Sequence, residues 1–490
     1  MKKRNLKGLL LLALLAIPLI LGASCAGKEQ AKYVFLFIGD GMAQPQIIAA
    51  EIFSAARSSD EIKTAKLSFT QFPIAGLTTT YDAGSFITDS ASAATAIATG
   101  RKTLNGIINM SPDKTQTYKT IAQYAKESGR KIGIITTVTL NHATPSGFYG
   151  FSSSRNDMYA LAVQAANSDF DYFAGGAFQH RTGRNKDQTD AIEIAKNNGY
   201  TYIDTKAEFD ALKPGAGKVI AVSEKLREGE TMPYEIDRKP GEVSLADLTR
   251  KGIEMLDNPK GFFMMIEGGK IDWAGHANDA GANIHDVLAL DAAVSAAVEF
   301  AKKNPKNTLI VVTGDHETGG MTIGFAGTHY DTHFEKIALQ TRSFAAFNEE
   351  VLKPFKENAS ASSQLLSTGQ QLSLNDLLPA IKESFGIDFD SLTAYEKQQI
   401  EFAFQRTMKD ERIRPVEEDR YLLYGGYEPL TVKLTQILNQ TAGIGWTTYS
   451  HTGLPVTTFA SGARAEIFGG YYDNTDIFYK LASAMNIKVE

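Results

Sequence analysis

Four short apolar runs recur along the chain, and each gives way at once to a turn that carries chemistry. Tyr33 to Ile38 (YVFLFI) leads into Gly39-Asp40-Gly41, and Lys131 to Val138 (KIGIITTV) leads into Thr139 to Pro145. Gly261 to Ile266 (GFFMMI) leads into Glu267-Gly268-Gly269, and Leu309 to Thr313 (LIVVT) leads into Gly314-Asp315-His316. Continuous apolar runs of this length suit strands covered on both faces. Between them, Tyr118, Ile121, Ala122 and Ala125 mark a helix closed by Gly129. Ile284, Val287, Leu288, Asp291, Val294 and Val298 mark another, mostly apolar along one face. The alternation predicts an α/β fold, a mostly parallel central sheet flanked by helices, with a helical insertion before the last strands. In such sheets the functional groups gather outside the carboxyl ends of the strands. Asp40, Glu267 and Asp315 are therefore expected to converge on one crevice.

The insertion is expected at about 325–449, where helical patterns such as Thr393 to Met408 replace strand runs. A Ser/Gln-rich patch at Ser360 to Gln371 reads as its mobile surface portion. Val456 to Ala460, just after His451-Thr452-Gly453, is expected to rejoin the main sheet. Residues 31–490 then make one domain that carries the insertion. Its 50 basic and 56 acidic residues give a net charge of −6. That leaves no basic excess to neutralise phosphates along a strand, so a nucleic-acid-binding role is not expected.

The first 25 residues read as a signal segment. Lys2, Lys3 and Arg4 form a basic start, and Leu9 to Leu21 is an apolar run too short to span a bilayer comfortably. Gly22-Ala23-Ser24-Cys25 resembles a bacterial lipoprotein cleavage site, although the usual leucine sits one place early, at Leu21. The expectation is an exported protein with Cys25 lipidated, a periplasmic or cell-envelope lipoprotein of a bacterium; plain secretion after nearby cleavage is the alternative. Cys25 is the only cysteine, so no intramolecular disulfide can form. No later stretch reaches about 18 consecutive apolar residues, so membrane contact is expected only through a lipid anchor.

The richest stretch is Glu267-Gly-Gly-Lys-Ile-Asp272-Trp-Ala-Gly-His276. Asp272 and His276 are four apart, on one face of a helical turn. With the distant His451 they offer one carboxylate and two imidazoles, which suits zinc with an open position. Asp40, Asp315 and His316 offer a second such set, and Asp40, Thr144 and Glu267 an oxygen-rich set that suits magnesium. A single histidine is more often a satisfied core or surface residue. Yet of eight histidines, four (142, 276, 316 and 451) fall within Gly- and acid-rich turns. His329 and His333, in THYDTH, read instead as part of a polar loop. A nucleophile candidate sits in TDSASAATAIATG, residues 88–100. A hydroxyl at Ser90, where an Ala-rich helix begins, would face free N–H groups that favour an alkoxide and a bound phosphate. Simple N-capping by Asp89 or Ser90 is the commoner use of such residues.

FIGDGM at 37–42, TDSASAATAIATG at 88–100, HATP at 142–145, EGGKIDWAGH at 267–276, GDHETGG at 314–320 and HTG at 451–453 together resemble the ordered motif set of the alkaline phosphatases. The resemblance implies a phosphomonoesterase that releases inorganic phosphate, with two zinc ions and one magnesium ion. It makes Ser90 the nucleophile that forms a phosphoserine. It assigns Asp272, His276 and His451 to the first zinc, and Asp40, Asp315 and His316 with Ser90 to the second. Asp40, Thr144 and Glu267 match the magnesium ligands, and Arg155 the phosphate clamp. His142 and Trp273 stand where the best-known bacterial pattern has an acid and a lysine. They are read as neighbours of the ligands that tune magnesium affinity and phosphate release. The implied partners are small-molecule phosphate monoesters, with a homodimer left open. A phosphodiesterase or sulfatase of the same superfamily is the nearest alternative, and Arg155 favours the monoester. A ligand-binding surface lipoprotein with a degenerate site would need broken ligand sets, and here every position is filled.

Overall fold

All seven residues of strand β1 (Tyr33–Gly39) are buried, and its side chains feed two cores in alternation. Tyr33, Phe35 and Phe37 enter one cluster; Val34, Leu36 and Ile38 enter the other. A strand with apolar chains on both faces needs a layer of helices on each side, which is why its sequence shows no polar alternation. The computed structural model describes residues 30–57, 62–358, 373–409 and 418–490. The signal segment with Cys25 and the Ser/Gln-rich patch lie outside them.

The remaining strands are β2 (Ile74–Thr79), β3 (Lys131–Thr136), β4 (Tyr172–Gly175), β5 (Tyr200–Ile203), β6 (Lys218–Val222), β7 (Phe262–Gly268), β8 (Thr308–Gly314), β9 (Glu317–Thr318), β10 (Thr322–Ile323), β11 (Ile444–Gly445), β12 (His451–Thr452), β13 (Val456–Gly462) and β14 (Gly470–Asp473). Ten of them form one sheet in the order β14-β2-β13-β8-β1-β7-β3-β4-β6-β5. β13 alone runs against its neighbours β2 and β8; every other pairing in this sheet is parallel. The mostly parallel sheet expected from the sequence is present. The runs at 33, 131, 262 and 308 form its centre, with β1 between β7 and β8.

Helices cover both faces. The helices Gln44–Ala56, Leu245–Leu256 and Ala280–Lys303 contribute Ile47, Leu248 and Leu290 to the core on one side. The helices Ser90–Thr99, Ile121–Glu127 and Thr475–Ala484 contribute Ile97, Ile121 and Leu481 to the other. Burying each large apolar side chain contributes roughly 1.5–3 kcal/mol. Several per strand offset the several kcal/mol that each buried carboxylate costs at the strand ends.

The predicted insertion hangs from a small stem in which β10 pairs antiparallel with β11, Ile323 opposite Ile444. Between these strands lie mainly helices, including Leu374–Phe385, Ala394–Met408 and Pro429–Thr441. Phe347, Leu377, Ile381, Ile400 and Leu434 from this stretch join the same core cluster as Phe35 and Ile266, so it shares the core of the sheet rather than building its own. Among the described residues, no helix is long and apolar enough to cross a membrane.

Candidate active site

The register of the three central strands decides where the acids fall. Gly39 lies beside Gly268 on one side and Gly314 on the other. Asp40 and Asp315 each follow their glycine and Glu267 precedes its own, so three carboxylates end up at one edge of the sheet. Glycine at 314 is a matter of close approach. A Cβ there would stand 2.0 Å from the Met42 carbonyl oxygen. The turn after β1 folds directly over the end of β8, and the Gly41 amide, at a φ of +71°, donates to Asp315 Oδ1 at 3.1 Å.

Around His316 the distances are uniform. Its Nε2 stands 3.3 Å from Asp40 Oδ1, 3.4 Å from Asp315 Oδ2 and 3.3 Å from Ser90 Oγ. These exceed the usual N–H···O range. They match the separation of about 3.3 Å between ligand atoms that each lie about 2.0–2.1 Å from one tetrahedral zinc. Ser90 reaches this point as the first residue of its helix, with Asp89 as the N-cap accepting from the Ser92 amide and Gly100 ending the helix at a φ of +69°.

A second cluster adjoins the first. His276 Nδ1 lies 2.6 Å from the Tyr449 carbonyl oxygen, and His451 Nδ1 lies 2.8 Å from that of Thr88. A carbonyl can only accept, so both rings must carry a proton on Nδ1. That leaves any lone pair on Nε2. The two Nε2 atoms are 3.1 Å apart, and each is 3.4 Å from Asp272 Oδ1. This is the outer-shell arrangement that aims imidazoles at a metal. Thr318 Oγ1 links the clusters, donating to Asp272 at 2.5 Å and lying 3.3 Å from His316 Nδ1.

The third cluster joins Asp40, Glu267 and His142, whose ligating atoms lie within 4.8 Å of one another. His142, read from the sequence as a neighbour of the magnesium ligands, stands here with a ring nitrogen close to Asp40 and Glu267. Thr144, in the Ala143–Tyr149 helix that His142 caps, has a buried Oγ1 with no hydrogen-bond partner. Both Asp40 oxygens, Asp315 Oδ2, Glu267 Oε1 and His142 Nδ1 share that condition. Trp273 does lie one layer back, its ring edge-on to His142 at a centroid distance of 6.1 Å. His329 and His333 join no metal-type cluster among the described residues.

The electrostatics follow from burial. Burial, reinforced by the charges of Asp315, Asp272 and Glu267, pushes the Asp40 carboxyl well above its ordinary value. Burial also lifts Glu267 to about 8 and Asp315 to about 7. Asp272 goes the other way: burial opposes its charge, but the His276 and His451 imidazoles hold it well below the usual range. Burial likewise opposes the charge on His276, yet Asp272 lifts it to about 9. Burial, with the Arg155 cation, drives His142 down to about 3, so its ring is neutral. A cluster of buried acids with orphaned oxygens is what a divalent cation would neutralise.

Arg155 is held by a residue whose role the sequence reading took only as capping. Its Nη1 donates to Asp89 Oδ2 at 2.9 Å, and its Nη2 stands 3.3 Å from His142 Nε2. Burial works against the Asp89 charge, but Arg155 and the Ser92 amide outweigh it and keep the carboxyl below its ordinary value. Asp89 thus caps the nucleophile's helix and positions the arginine beside it. Its place next to Ser90 was the only hint in the sequence.

The alkaline phosphatase family model matches residues 31–172 and 170–487. The chain belongs to the alkaline phosphatase family. Alkaline phosphatase 3 of Bacillus subtilis is 31% identical over 477 residues, covering 94% of this chain and 91% of the relative. A cold-active alkaline phosphatase from a psychrophilic Shewanella is 29% identical, with a TM-score of 0.74, covering 92% of this chain and 99% of that one. The alkaline phosphatase of the Antarctic bacterium TAB5 is 25% identical, with a TM-score of 0.63, covering 94% and 100%. Variants of the TAB5 enzyme with Asp or Glu in place of a histidine are described with Mg bound in the M3 site. This alkaline phosphatase is a phosphomonoesterase of a metal-dependent family, and three groups of its residues are candidate metal sites: Asp40, Asp315 and His316; Asp40, His142 and Glu267; and Asp272 and His451, which meet His316 as well as His276.

A pH dependence follows for the metal-free protein. In the unfolded chain Glu267 and Asp315 titrate near 4, whereas folding raises them to about 8 and about 7. Folding therefore carries no penalty from them below about pH 4. The penalty grows as pH rises through their folded values, because both must then be ionised while buried. His276 acts in the same sense, its contribution being lost as pH rises through about 9. The melting temperature of chelator-treated protein is expected to fall steadily from pH 5 to 9, and the rise on adding zinc and magnesium should grow over the same range. Thermal melts with and without metals check this; a chelated protein equally stable at pH 5 and 9 would contradict it.

Proposed function

We propose that this alkaline phosphatase is an exported, zinc-dependent enzyme that hydrolyses phosphate monoesters through a phosphoserine on Ser90. One observation carries the reading: Ser90 Oγ, Asp40 Oδ1 and Asp315 Oδ2 each stand 3.3–3.4 Å from His316 Nε2, the separation between neighbouring ligands of a tetrahedral site, with the hydroxyl at a helix N-terminus. Asp40, Asp315, His316 and Ser90 would hold one zinc; Asp272, His276 and His451 would hold the other. Bound there, the two ions supply Lewis-acid stabilisation of the attacking and leaving oxygens of an in-line displacement.

The chain's own residues do the rest. Ser90 gives its proton to solvent and its Oγ bonds to phosphorus while the ester bond breaks, and the departing alkoxide takes a proton from solvent to leave as the alcohol. The alcohol departs on the far side of phosphorus from Ser90, toward His276 and His451. Arg155 spends one N–H on Asp89 and another on His142, and a guanidinium, with five, has donors left for two phosphoryl oxygens. The amides of the first turn of the Ser90–Thr99 helix add further positive field at the same phosphoryl group. Water then attacks from the side the alcohol left, the bond from phosphorus to Ser90 Oγ breaks, and inorganic phosphate is released.

The third cluster is read as the magnesium site, with Asp40, Thr144 and Glu267 as ligands, and His142 makes it unusual. A neutral imidazole suits zinc better than magnesium. Its Nε2 also faces Arg155, so the tautomer that accepts from the arginine carries its proton on Nδ1 and has no lone pair there. Magnesium would therefore be held weakly; zinc would replace it with His142 in the other tautomer, its Nδ1 unprotonated and the contact to Arg155 given up. The TAB5 variants with magnesium in their M3 site support the weak magnesium binding. Trp273, in place of a lysine, would hold product phosphate less tightly.

Ser90→Ala is expected to keep its fold and metal content and to lose roughly 10⁴-fold or more in kcat. Labelled phosphate trapped at acid pH should appear on the wild type and not on the variant; label on Thr88 or Ser92 would redirect the assignment.

His142→Asp should raise magnesium affinity roughly tenfold or more by adding a hard anionic oxygen to the cluster. Magnesium titrations of activity, with metal content measured alongside, check this; coincident curves for both proteins would show that the imidazole does not tune the site.

Export rests on residues 1–25. If Cys25 is lipidated, the mature N-terminal peptide should carry acyl mass, and Cys25→Ser should release activity to the soluble fraction. Wild-type enzyme found soluble with an unmodified N-terminus would sink the lipoprotein reading.

A further inference from the structure

Beside the second cluster lies a cavity of about 440 Å³ that the reaction as described does not use. Its inner wall is His276 and Trp273, on the Lys270–His276 helix that also carries Asp272. Its outer wall comes from the segment between β10 and β11: Phe344, Ala345 and Tyr427. Tyr234 and Lys270, with an Arg227–Glu349 ion pair at 3.7 Å, close the remaining side, and the rings run on from one another. Tyr234 and Phe344 meet edge-on at 5.6 Å between centroids, and Phe344 and Tyr427 at 5.7 Å. The volume and the aromatic lining both suit a small-molecule site.

The outer wall is fastened in place. Asp237 accepts from the Ser343 amide at 2.9 Å and from its hydroxyl at 2.5 Å. Asp279 accepts from the Phe344 amide and from Gln340 Nε2, both at 2.8 Å. Two buried carboxylates thus hold the turn that presents Phe344, and the small side chain of Ala345 leaves the space beside it open. A cavity held this way is formed before any ligand arrives, which lowers the ordering cost of binding.

Its position relative to the reaction identifies the occupant. Ser90 lies against His316, while the cavity opens at His276. In an in-line displacement the alcohol leaves opposite the nucleophile, hence on the cavity side. We infer that the cavity binds the alcohol portion of the substrate, and that the favoured esters are those whose alcohol carries a neutral aromatic ring, as in nucleoside monophosphates. This rests on the phosphatase reading above and names its substrate class. An aromatic box also suits a quaternary ammonium group. Here, however, Lys270 Nζ already sits 4.0 Å from the Tyr234 ring and 4.5 Å from that of Trp273. Arg227 and Lys270 are matched in the lining by Asp237 and Glu349, so the wall offers no unbalanced anion to hold a second cation, and a neutral ring needs none.

The test compares alkyl monoesters of similar leaving-group chemistry. For the metal-loaded enzyme, kcat/KM for adenosine 5′-monophosphate is expected to exceed that for glycerol phosphate by about tenfold, the scale of one good aromatic contact with its burial. Phosphocholine should gain nothing over glycerol phosphate. Ala345→Trp, which fills the cavity, and Phe344→Leu, which removes a ring, should each bring the nucleotide-to-glycerol ratio toward one. A second readout needs no turnover. Trp273 and Trp446 are the only tryptophans, so in Trp446→Phe protein adenosine should quench the remaining emission saturably, and Ala345→Trp/Trp273→Phe protein should bind adenosine more weakly by calorimetry. A wild-type ratio near one, a ratio that both variants leave unchanged, or a preference for phosphocholine would overturn the inference. Failure to hydrolyse any of the three esters would overturn the phosphatase reading instead. In that event adenosine binding would still decide the cavity: saturable quenching supports it, and none overturns it.

Discussion

Asp40, Glu267 and Asp315 are fully buried at one edge of the sheet, and no lysine or arginine of the chain forms a salt bridge with them among the described residues. Each buried carboxylate left ionised and unpaired costs several kcal/mol, whereas one hydrogen bond returns about 1 kcal/mol. The Gly41 amide and the Thr136 hydroxyl, which donate to Asp315 and Glu267, therefore fall short of balancing them. The chain can tolerate this only because the strands beneath carry apolar side chains on both faces and cannot shift register without exposing them. The acids are held where they are by the core, and a divalent cation is what their surroundings lack.

The same logic explains the geometry around them. A site that merely collects acids and imidazoles would let them pair with one another and close up. Here Nδ1 of His276 and His451 is tied to a backbone carbonyl. Thr318 holds Asp272 and stands against His316, and Asp89 holds Arg155. These partners spend the hydrogen-bonding capacity that points away from the centre and leave free the atoms that point into it. Ser90 fits the same pattern: Asp89 engages the Ser92 amide, and the nucleophile's hydroxyl is left to face His316.

Much of this was readable from the sequence because the signals were physical ones. The central strands announced themselves as apolar runs ending in Gly and acid, and the Asp272 and His276 pair by its helical spacing. The strands β4, β6 and β5 at one end of the sheet went unread because four or five residues are too few to show a period. The reversed direction of β13 could not be read either, since strand sense is set by where the chain returns and not by local composition. How close His142 comes to Asp40 and Glu267 was hidden for a similar reason. It caps a helix whose entry angle turns its ring toward them, and no spacing rule encodes that angle. Asp89 was taken for a cap and nothing more because Arg155 is 66 residues away in sequence. Carboxylates in register on parallel strands are legible one strand at a time; partners that meet only in the fold are not.

The segment between β10 and β11 shows how such a chain can vary one property without disturbing another. Every cluster residue comes from the strand ends, the turns that follow them or the short helices that begin there, and none lies within that segment. What the segment supplies is the far wall of the cavity beside His276 and part of the shared core. Changes in it can reshape the space beyond the site while the distances around His316 stay fixed by β1, β8 and the Ser90–Thr99 helix. The attachment is not purely peripheral, because Asp279, three residues after His276, hydrogen-bonds the Phe344 amide. Burial pushes the Asp279 carboxyl up to about 6, opposed by the donors that surround it. A polar anchor of this kind fixes the wall in one position where apolar packing alone would allow several, and it ties the shape of the cavity to the helix that carries Asp272 and His276.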